Sequence, residues 1–380
     1  MASRTSIALL CFALLAPFLW PRVRVLSLFF QNAPEKLQRM NALDAVELKF
    51  ADRVRNCEDA LLLEDKGLAI LGCDPGRERW NTVMGIFYPG PTTGGGLWLY
   101  DYASGTDSLT PLDLAGYDGD LHPLGLAYDA ATAKLFVANH RTDGSRVDVF
   151  DLDLAADRPV AKHRRSIKHP LIHGPNSIAL ISSNELYVTN DHHFLARQHG
   201  FLSRIETYAG VPGGSVVYVD HSADTARVVA RLPFANGIEF LNETALAVSA
   251  TSAASVHIYS VEATTHDITA RSSFKVPFMP DNLSVDKNGV LLVAGHPHPP
   301  SLTKYAESRA LCNSEEGEPA EVCKVATAGT WISEWTAEGG RKDLFVDTWF
   351  PSGCTALRDV ARKTGIITGL YAKGVLVWKG

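Results

Sequence analysis

Oxygen-bearing side chains recur at similar points along this 380-residue chain, at the ends of short apolar segments. Before such segments stand Glu58-Asp59, Asn176, Asn236 and Asp281-Asn282. After such segments stand Asn139-His140, Asn190-Asp191-His192 and His296. Buried carboxylates are costly without a counter-charge, and a hard divalent cation would satisfy them. Ligation by oxygen alone favours calcium or magnesium over zinc, and calcium suits a flexible site with six or more oxygens. The pattern therefore predicts a calcium site.

Each of these residues, taken singly, has a simpler interpretation. Asn and Asp are common in turns and at strand ends, where they form local hydrogen bonds. A histidine can equally be a buried residue whose two nitrogens are satisfied by neighbours. The prediction of a metal site therefore depends on the recurrence of oxygen ligands at equivalent points, and not on any one of them.

The elements that would position these residues form an internal repeat. Each copy spans about 15 residues and consists of two apolar strands around a polar turn, as in a β-hairpin. The copies begin at Glu58, Leu124, Asn176, Asn236, Asp281 and Thr355. Further apolar strands lie between the copies, so each copy extends to a blade of four strands. The chain is therefore predicted to be an all-β, six-bladed β-propeller, with a β-sandwich as the alternative.

A propeller brings distant parts of the chain together around its axis. If the first strand of each hairpin lies nearest the central channel, its start and the end of its antiparallel partner share one rim. The residues that open and close the copies should then converge at one mouth of the channel. Residues 43–50 could supply an additional strand that completes the last blade.

Composition and the N-terminus restrict the possible partners and the location. The net charge of −6 indicates no basic face, so we do not expect the protein to bind nucleic acid. The apolar stretch Ile7–Trp20 has the length of a signal-peptide core. We interpret residues 1–30 as a cleaved signal or an uncleaved signal-anchor, which predicts a secreted or membrane-anchored protein; a buried helix is the alternative. Residues 31–50 are a lead-in with helical periodicity over Ala33–Phe50, and residues 51–380 are the propeller.

The six cysteines fit an oxidising compartment if they pair. Cys57 and Cys73 flank one predicted strand pair, and Cys312 and Cys323 bracket a short polar loop. We expect these two disulfides, with a fully reduced chain as the alternative. Cys354 has no evident partner. The sequon at Asn242 predicts a glycoprotein.

Several segments resemble a known family. They are CEDALLL at 57–63, VANH at 137–140, YVTNDHHFL at 187–195, FANGI at 234–238, DNLSVD at 281–286 and GHP at 295–297. In this order they resemble the paraoxonase/arylesterase family, whose members are calcium-dependent lactonases on six-bladed propellers. The resemblance runs from about residue 58 to the C-terminus.

The resemblance implies two calcium ions. The ligands of a catalytic ion would be Glu58, Asn190, Asn236, Asp281 and Asn282. A second, structural ion would be held by Asp59, Asp191 and the main-chain carbonyl of Leu126. Neighbouring residues such as Glu58 and Asp59 point to opposite sides of a strand, which suits two separate ions.

One departure affects the predicted catalytic base. Leu124 stands where the family has the first histidine of its His-His dyad, while the second is retained as His140. His122 lies nearby but two positions out of register. The base could be His140, His192 or His296, or the carboxylate of Asp281 could act as base or nucleophile. Asn190 and Asn236 would help to position the substrate.

The expected function is the hydrolysis of small-molecule lactones or aryl esters. Three alternatives remain. They are a hydrolase of sugar lactones, a calcium-stabilised binding module without activity, and a metal-independent condensing enzyme similar to strictosidine synthase. The walls of the site are predicted to be apolar. The candidates for them are Phe194, Leu195, Phe201, Tyr208, Trp349 and Phe350.

Overall fold

A computed structural model describes residues 20–90, 92–155, 158–314 and 320–380. The chain enters through a helix, α1, over residues 20–31, and two short strands, β1 (Met40–Asn41) and β2 (Glu47–Lys49). The first blade contains β3 (Cys57–Leu63), β4 (Leu68–Cys73), β7 (Gly96–Asp101) and β8 (Ser108–Pro111), with a small insertion of β5 (Trp80–Asn81) and β6 (Ile86–Phe87). The second contains β9 (Pro123–Asp129), β10 (Lys134–Asn139), β11 (Arg146–Asp153) and β12 (Val160–Ile167).

The later blades follow the same plan. The third contains β13 (Pro175–Leu180), β14 (Glu185–Asn190), β15 (Gly214–Asp220) and β16 (Thr225–Leu232), and the fourth contains β17 (Ala235–Asn242), β18 (Ala245–Ala250), β19 (Ser255–Val261) and β20 (Ile268–Lys275). The fifth contains β21 (Met279–Val285), β22 (Leu291–His296), β23 (Thr330–Thr336) and β24 (Gly340–Asp347), and the sixth contains β25 (Gly353–Asp359), β26 (Thr364–Gly369) and β27 (Val375–Lys379). Three helices, α2 (Ala196–Ala209), α3 (Pro299–Cys312) and α4 (Glu321–Val325), lie in connections between strands.

The first strand of every blade is at the inner edge of its sheet, and the inner strands contact one another around a ring. Apolar side chains fill the spaces between adjacent blades. Phe136 and Val149 of the second blade, for example, belong to one buried cluster with Ile178 and Val188 of the third. The predicted all-β, six-bladed propeller is confirmed.

The ring is closed by the N-terminal segment. Strand β2 pairs with β27 in antiparallel register, so Leu48 lies opposite Leu376. The sixth blade thereby gains its fourth strand, as predicted for residues 43–50. Strand β1 similarly pairs with β24 and becomes a fifth strand of the fifth blade.

The helical periodicity over Ala33–Phe50 led to a wrong prediction. The helix covers residues 20–31 instead, and residues 33–50 contain only turns and the strands β1 and β2. Strands β1 and β2 form backbone hydrogen bonds with the free edges of two blades. Tertiary pairing of this kind outweighs a weak local helix propensity. Most of the interpreted leader, residues 1–19, lies outside the described residues. None of the helices in the described ranges is both long and apolar enough to cross a membrane.

Both predicted disulfides are present. Cys57 and Cys73 lie directly opposite each other on β3 and β4, and Cys312 is bonded to Cys323. Cys354 is a buried free thiol, and burial raises its pKa well above the usual range.

We expect the replacement of Cys57 and Cys73 together by alanine to lower the free energy of unfolding. A loop of 16 residues corresponds to about 3 kcal/mol in the chain-entropy account. Denaturant unfolding under non-reducing conditions measures this, with the Cys312/Cys323 double alanine variant as the comparison. An unchanged midpoint for the first variant would show that β3 and β4 hold their register without the bond.

Candidate functional site

All six inner strands have an irregularity near their first residues, where the pairing with the second strand shifts. The residues in these bulges are Glu58, Leu124-Gly125, Asn176-Ser177, Asn236-Gly237, Asp281-Asn282 and Cys354. A bulge leaves residues out of the ladder and re-aims their side chains, and bulges are common beside active sites. The bulges therefore create a ring of equivalent positions around the propeller axis.

The first residues of five of the six bulges surround a small cavity of about 60 Å³; Cys354, in the sixth, is not part of its lining. Its polar lining is Glu58, Arg77, Asn81, Asn176, Asn236, Thr251, Asp281 and His296. Its apolar lining is Val83, Met84, Leu124, Phe234, Met279, Leu302 and Leu370. The structure thus gathers Glu58, Asn236 and Asp281 as predicted, and it places Leu124 in the wall of the same cavity.

The residues that directly follow Glu58, Asn176 and Asp281 face a larger space, the central channel of about 1000 Å³. Asp59, Ser177 and Asn282 line this channel. Glycine occupies the equivalent positions 125 and 237 because the neighbouring inner strand comes too close for a side chain. A Cβ atom on Gly237 would lie 2.5 Å from the carbonyl oxygen of Asp281.

Four buried oxygens of this ring have no hydrogen-bond donor. They are Oε2 of Glu58 and the Oδ1 atoms of Asn176, Asn236 and Asn282. An unsatisfied buried acceptor costs about 1–3 kcal/mol, so three around one cavity, and a fourth on Asn282 beside Glu58, indicate a missing ligand. All four atoms are oxygens, which is the donor set of a hard cation. Within the described residues no group of three or more His, Cys, Asp or Glu side chains could hold a metal; amide oxygens make up most of this set.

The carboxylates of the ring are electrostatically unfavourable without a cation. Burial, followed by the nearby charges of Asp281 and Asp59, raises the pKa of Glu58 well above its ordinary value. Burial also raises the pKa of Asp59 to about 7, and that of Glu239 in the channel to about 7. A bound cation reverses this effect, because it favours the ionised form of any carboxylate beside it.

Asp281 and His296 form a buried pair at the cavity. The His296 Nε2 lies 2.8 Å from the Asp281 Oδ2, while the His296 Nδ1 has no partner. A carboxylate that accepts the Nε2–H fixes the tautomer and leaves Nδ1 as the basic nitrogen. His296 is therefore oriented so that it can accept a proton.

The other candidate histidines are engaged elsewhere. The His140 Nε2 lies 2.6 Å from the Pro175 carbonyl oxygen and its Nδ1 contacts the Thr82 hydroxyl; burial lowers the pKa of His140. The His192 Nε2 lies 2.6 Å from the Thr207 hydroxyl and its Nδ1 is 3.1 Å from Asp191.

His122 does not replace the missing dyad histidine in this cavity. Its Nδ1 is 2.9 Å from the Asp74 Oδ2, and its ring lies beside that of Trp80. Neither His122 nor His140 belongs to the cavity lining.

Asn190 is not brought to the cavity. Its Oδ1 accepts hydrogen bonds from the backbone N–H groups of His173 and Gly174, and its Nδ2 donates to Leu171 and Ser215. Both ends of the Asn190 amide are thus used in hydrogen bonds to the backbone and to the Ser215 hydroxyl, so Asn190 has a structural role here. The amide that faces the cavity in the third blade is Asn176, at the bulge.

Of the residues expected at a second ion, Asp59 and Leu126 lie together at the channel, whereas Asp191 does not. Asp59 lines the channel, where its Oδ2 accepts the backbone N–H of Leu126 at 2.8 Å. Asp191 is not part of the channel lining and instead contacts His192. The third-blade position that corresponds to Asp59 is Ser177, and a further carboxyl in the channel lining belongs to Glu239.

Sequence reasoning missed two residues, Arg77 and Glu239, and misplaced the walls. It included Asn176, the first residue of its copy, among the residues expected to converge, but left it out of the ligand set. Nothing in the sequence distinguished Arg77 or Glu239. None of the six residues proposed as walls lines the cavity; Phe350 is in the core and Phe201 is 76% exposed.

Comparisons with known proteins identify the family of the chain. The family model "Arylesterase" matches residues 84–330. Serum paraoxonase/arylesterase 1 of Homo sapiens is 27% identical over 335 residues, which cover 83% of this chain and 88% of the relative. Serum paraoxonase/lactonase 3 of Mus musculus is 28% identical over 300 residues, 73% of this chain and 80% of the relative.

A solved structure shows the same fold. A gluconolactonase from Xanthomonas campestris superposes with a TM-score of 0.54 at 14% identity, with 89% of this chain and 91% of that chain covered. Since the family model spans more than half of the sequence, the chain belongs to the paraoxonase/arylesterase family.

Proposed function

We propose that this protein is a calcium-dependent hydrolase of lactones and aryl esters. The observation that carries the proposal is the set of buried oxygens without donors, at Glu58, Asn176 and Asn236, around one cavity that also contains the Asp281–His296 pair. Family membership supports the reaction class, since relatives are described as arylesterase and lactonase.

The residues that would hold the calcium ion are Glu58, Asn176, Asn236, Asp281 and Asn282. When bound, calcium would polarise the carbonyl of the substrate and offset the negative charge that develops on its oxygen. A second ion in the channel would rest on Asp59, with Ser177 and Glu239 as further oxygen donors of the channel lining.

His296 is the base that the geometry favours. Its free Nδ1 takes a proton from the attacking water, and Asp281 holds the opposite nitrogen and stabilises the imidazolium. Asp281 then acts as ligand and orienting group. A role for its carboxylate as base or nucleophile is less favourable, because its Oδ2 already accepts from His296.

The apolar part of the cavity indicates the substrate class. Leu124, Phe234 and Leu302 are among the residues that would contact the acyl or alcohol part of a substrate. Such a lining suits weakly polar lactones and esters, and it offers few partners to the hydroxyls of a sugar lactone. Leu124, in place of a dyad histidine, makes this lining more apolar.

We also propose the secretory pathway as the location. Two disulfides and the serum paraoxonase relatives support it. The N-terminal helix exposes Trp20 and Phe30 at its surface, which supports membrane association through this segment as part of the same proposal.

The test is an assay of purified protein on alkyl γ- and δ-lactones, gluconolactone and phenyl acetate, with and without chelator. We expect hydrolysis of the apolar lactones or the aryl ester, lost with chelator and restored by added calcium. Turnover that resists chelation would contradict the proposal and favour a metal-independent enzyme. Calcium-dependent thermal stabilisation without any turnover would indicate a binding module.

A further inference from the structure

A buried arginine lines the cavity beside the proposed calcium ligands. Arg77 lies in a short turn, Pro75–Glu78, that follows Cys73, and its side chain is only 2% exposed. It lines the same cavity as Glu58 and Asp281. A hydrogen bond within the turn holds its conformation: the backbone N–H of Arg77 donates to the Asp74 carbonyl at 3.1 Å.

The guanidinium of Arg77 has no carboxylate partner within 4.0 Å among the described residues. One of its nitrogens, Nη2, donates to the Pro123 carbonyl oxygen, and its Nε is buried without any partner. The two acidic residues of its own turn region face elsewhere. Asp74 contacts His122, and Glu78 is paired with Arg55. A buried arginine without a counter-charge is costly, and it indicates that an anion is missing.

The charges around the cavity point to the same conclusion. A divalent cation would neutralise the two carboxylates that line the cavity, those of Glu58 and Asp281. The positive charge of Arg77 would then remain without compensation. One negative charge from a ligand would balance the cavity.

The size of the cavity restricts what this anion can be. A volume of about 60 Å³ has room for only a few water-sized groups. The smallest anionic group that the proposed reaction brings to this position is the reacting carboxyl itself. In ester hydrolysis, water adds to the acyl carbon, the acyl carbon–oxygen bond breaks, and the proton taken by His296 passes to the leaving oxygen. The acid product then loses its proton to solvent and becomes a carboxylate.

We propose that Arg77 forms a carboxylate-binding subsite next to the calcium site, where it binds the acid product and the oxyanion that precedes it. This inference rests on the proposed function and adds a residue that acts on the reacting group. A guanidinium is suited to the role because its N–H groups form charge-assisted, paired hydrogen bonds with carboxylate oxygens.

The test uses Arg77→Met and Arg77→Lys, with Arg79→Met as the matched control outside the cavity lining. The probe is 4-hydroxybutanoate, the hydrolysed form of γ-butyrolactone, titrated into calcium-loaded protein. The uncharged 4-hydroxybutanamide is the comparison ligand. We expect Arg77→Met to weaken carboxylate binding about tenfold or more, the range of a charge-assisted hydrogen bond. Arg77→Lys should retain part of the affinity, and Arg79→Met should retain all of it.

Two further readouts separate this role from a structural one. Calcium affinity should stay equal or rise in Arg77→Met, because a positive charge beside the ion has been removed. For a neutral lactone, kcat should fall about 100- to 1000-fold, as for the loss of an oxyanion donor, with a smaller change in KM.

Two results would overturn the proposal. One is that the unchanged protein binds the carboxylate and the amide with equal affinity. The other is that a folded Arg77→Met binds the carboxylate as tightly as the unchanged protein does. If Arg77→Met does not fold, Arg77→Lys and the comparison of the two ligands still decide it. Carboxylate binding in a protein without turnover would leave the subsite standing while the proposed function fails.

Discussion

Asp281→Asn is expected to lose both calcium binding and hydrolysis. Among the residues that the structure describes, the cavity offers two carboxylates to a cation, Glu58 and Asp281, and the second of them also orients His296. Removing a residue that only hydrogen-bonds to a metal ligand already lowers metal affinity by about 10- to 100-fold. Removing a charged ligand itself should therefore lower calcium affinity by more than about 100-fold. Calcium titration by calorimetry measures the affinity, and kcat/KM on a lactone measures the activity.

The control for this experiment is Asp224→Asn. Asp224 is exposed in the turn between β15 and β16 and lines neither the cavity nor the channel, so the same loss of one charge occurs away from both proposed ions. This variant should bind calcium and turn over substrate like the unchanged protein. If Asp281→Asn bound calcium with unchanged affinity and remained active, the assigned ligands would be wrong.

The fold was predictable because its determinants are local and repeated. Each hairpin has its own alternation of apolar residues and its own turn, such as Lys287-Asn288-Gly289, where Gly289 adopts a positive φ of 75°. Six such hairpins leave few arrangements other than a ring. The failure over Ala33–Phe50 has the opposite cause. The conformation of β1 and β2 is set by pairing with strands about 300 residues later in the sequence. The local pattern of apolar residues carries no information about such distant partners.

The site was predictable in its chemistry but only partly in its residues. Asn176 and Asn190 both lie at the same rim of the third blade, and Pro175 pairs with Asn190. Which of the two amides faces the axis depends on the bulge at Asn176-Ser177. Sequence alternation assumes an uninterrupted strand, and a bulge breaks that alternation at the very positions where the ligands lie. Arg77 could not be assigned for a similar reason, because it enters the cavity from a turn outside the repeat.

His296→Gln is expected to lower kcat about 100- to 10,000-fold, the usual contribution of a general base. Glutamine can still donate an N–H to Asp281, so the metal ligand keeps its orientation, but it has no basic atom to replace the free Nδ1. Calcium affinity should therefore change little. The comparison is His193→Gln, an exposed histidine of the segment 187–195, which should leave kcat unchanged.

The combination of the two readouts distinguishes the two routes for proton removal. If His296 is the base, His296→Gln separates activity from calcium binding, whereas Asp281→Asn removes both together. If instead the Asp281 carboxylate accepts the proton or attacks the substrate, His296→Gln should retain most of its turnover, since the Asp281 oxygen then has a neutral amide donor beside it in place of the imidazole. A folded, calcium-loaded His296→Gln with nearly full kcat would thus transfer the role of base to Asp281, and it would reduce His296 to a residue that positions this carboxylate.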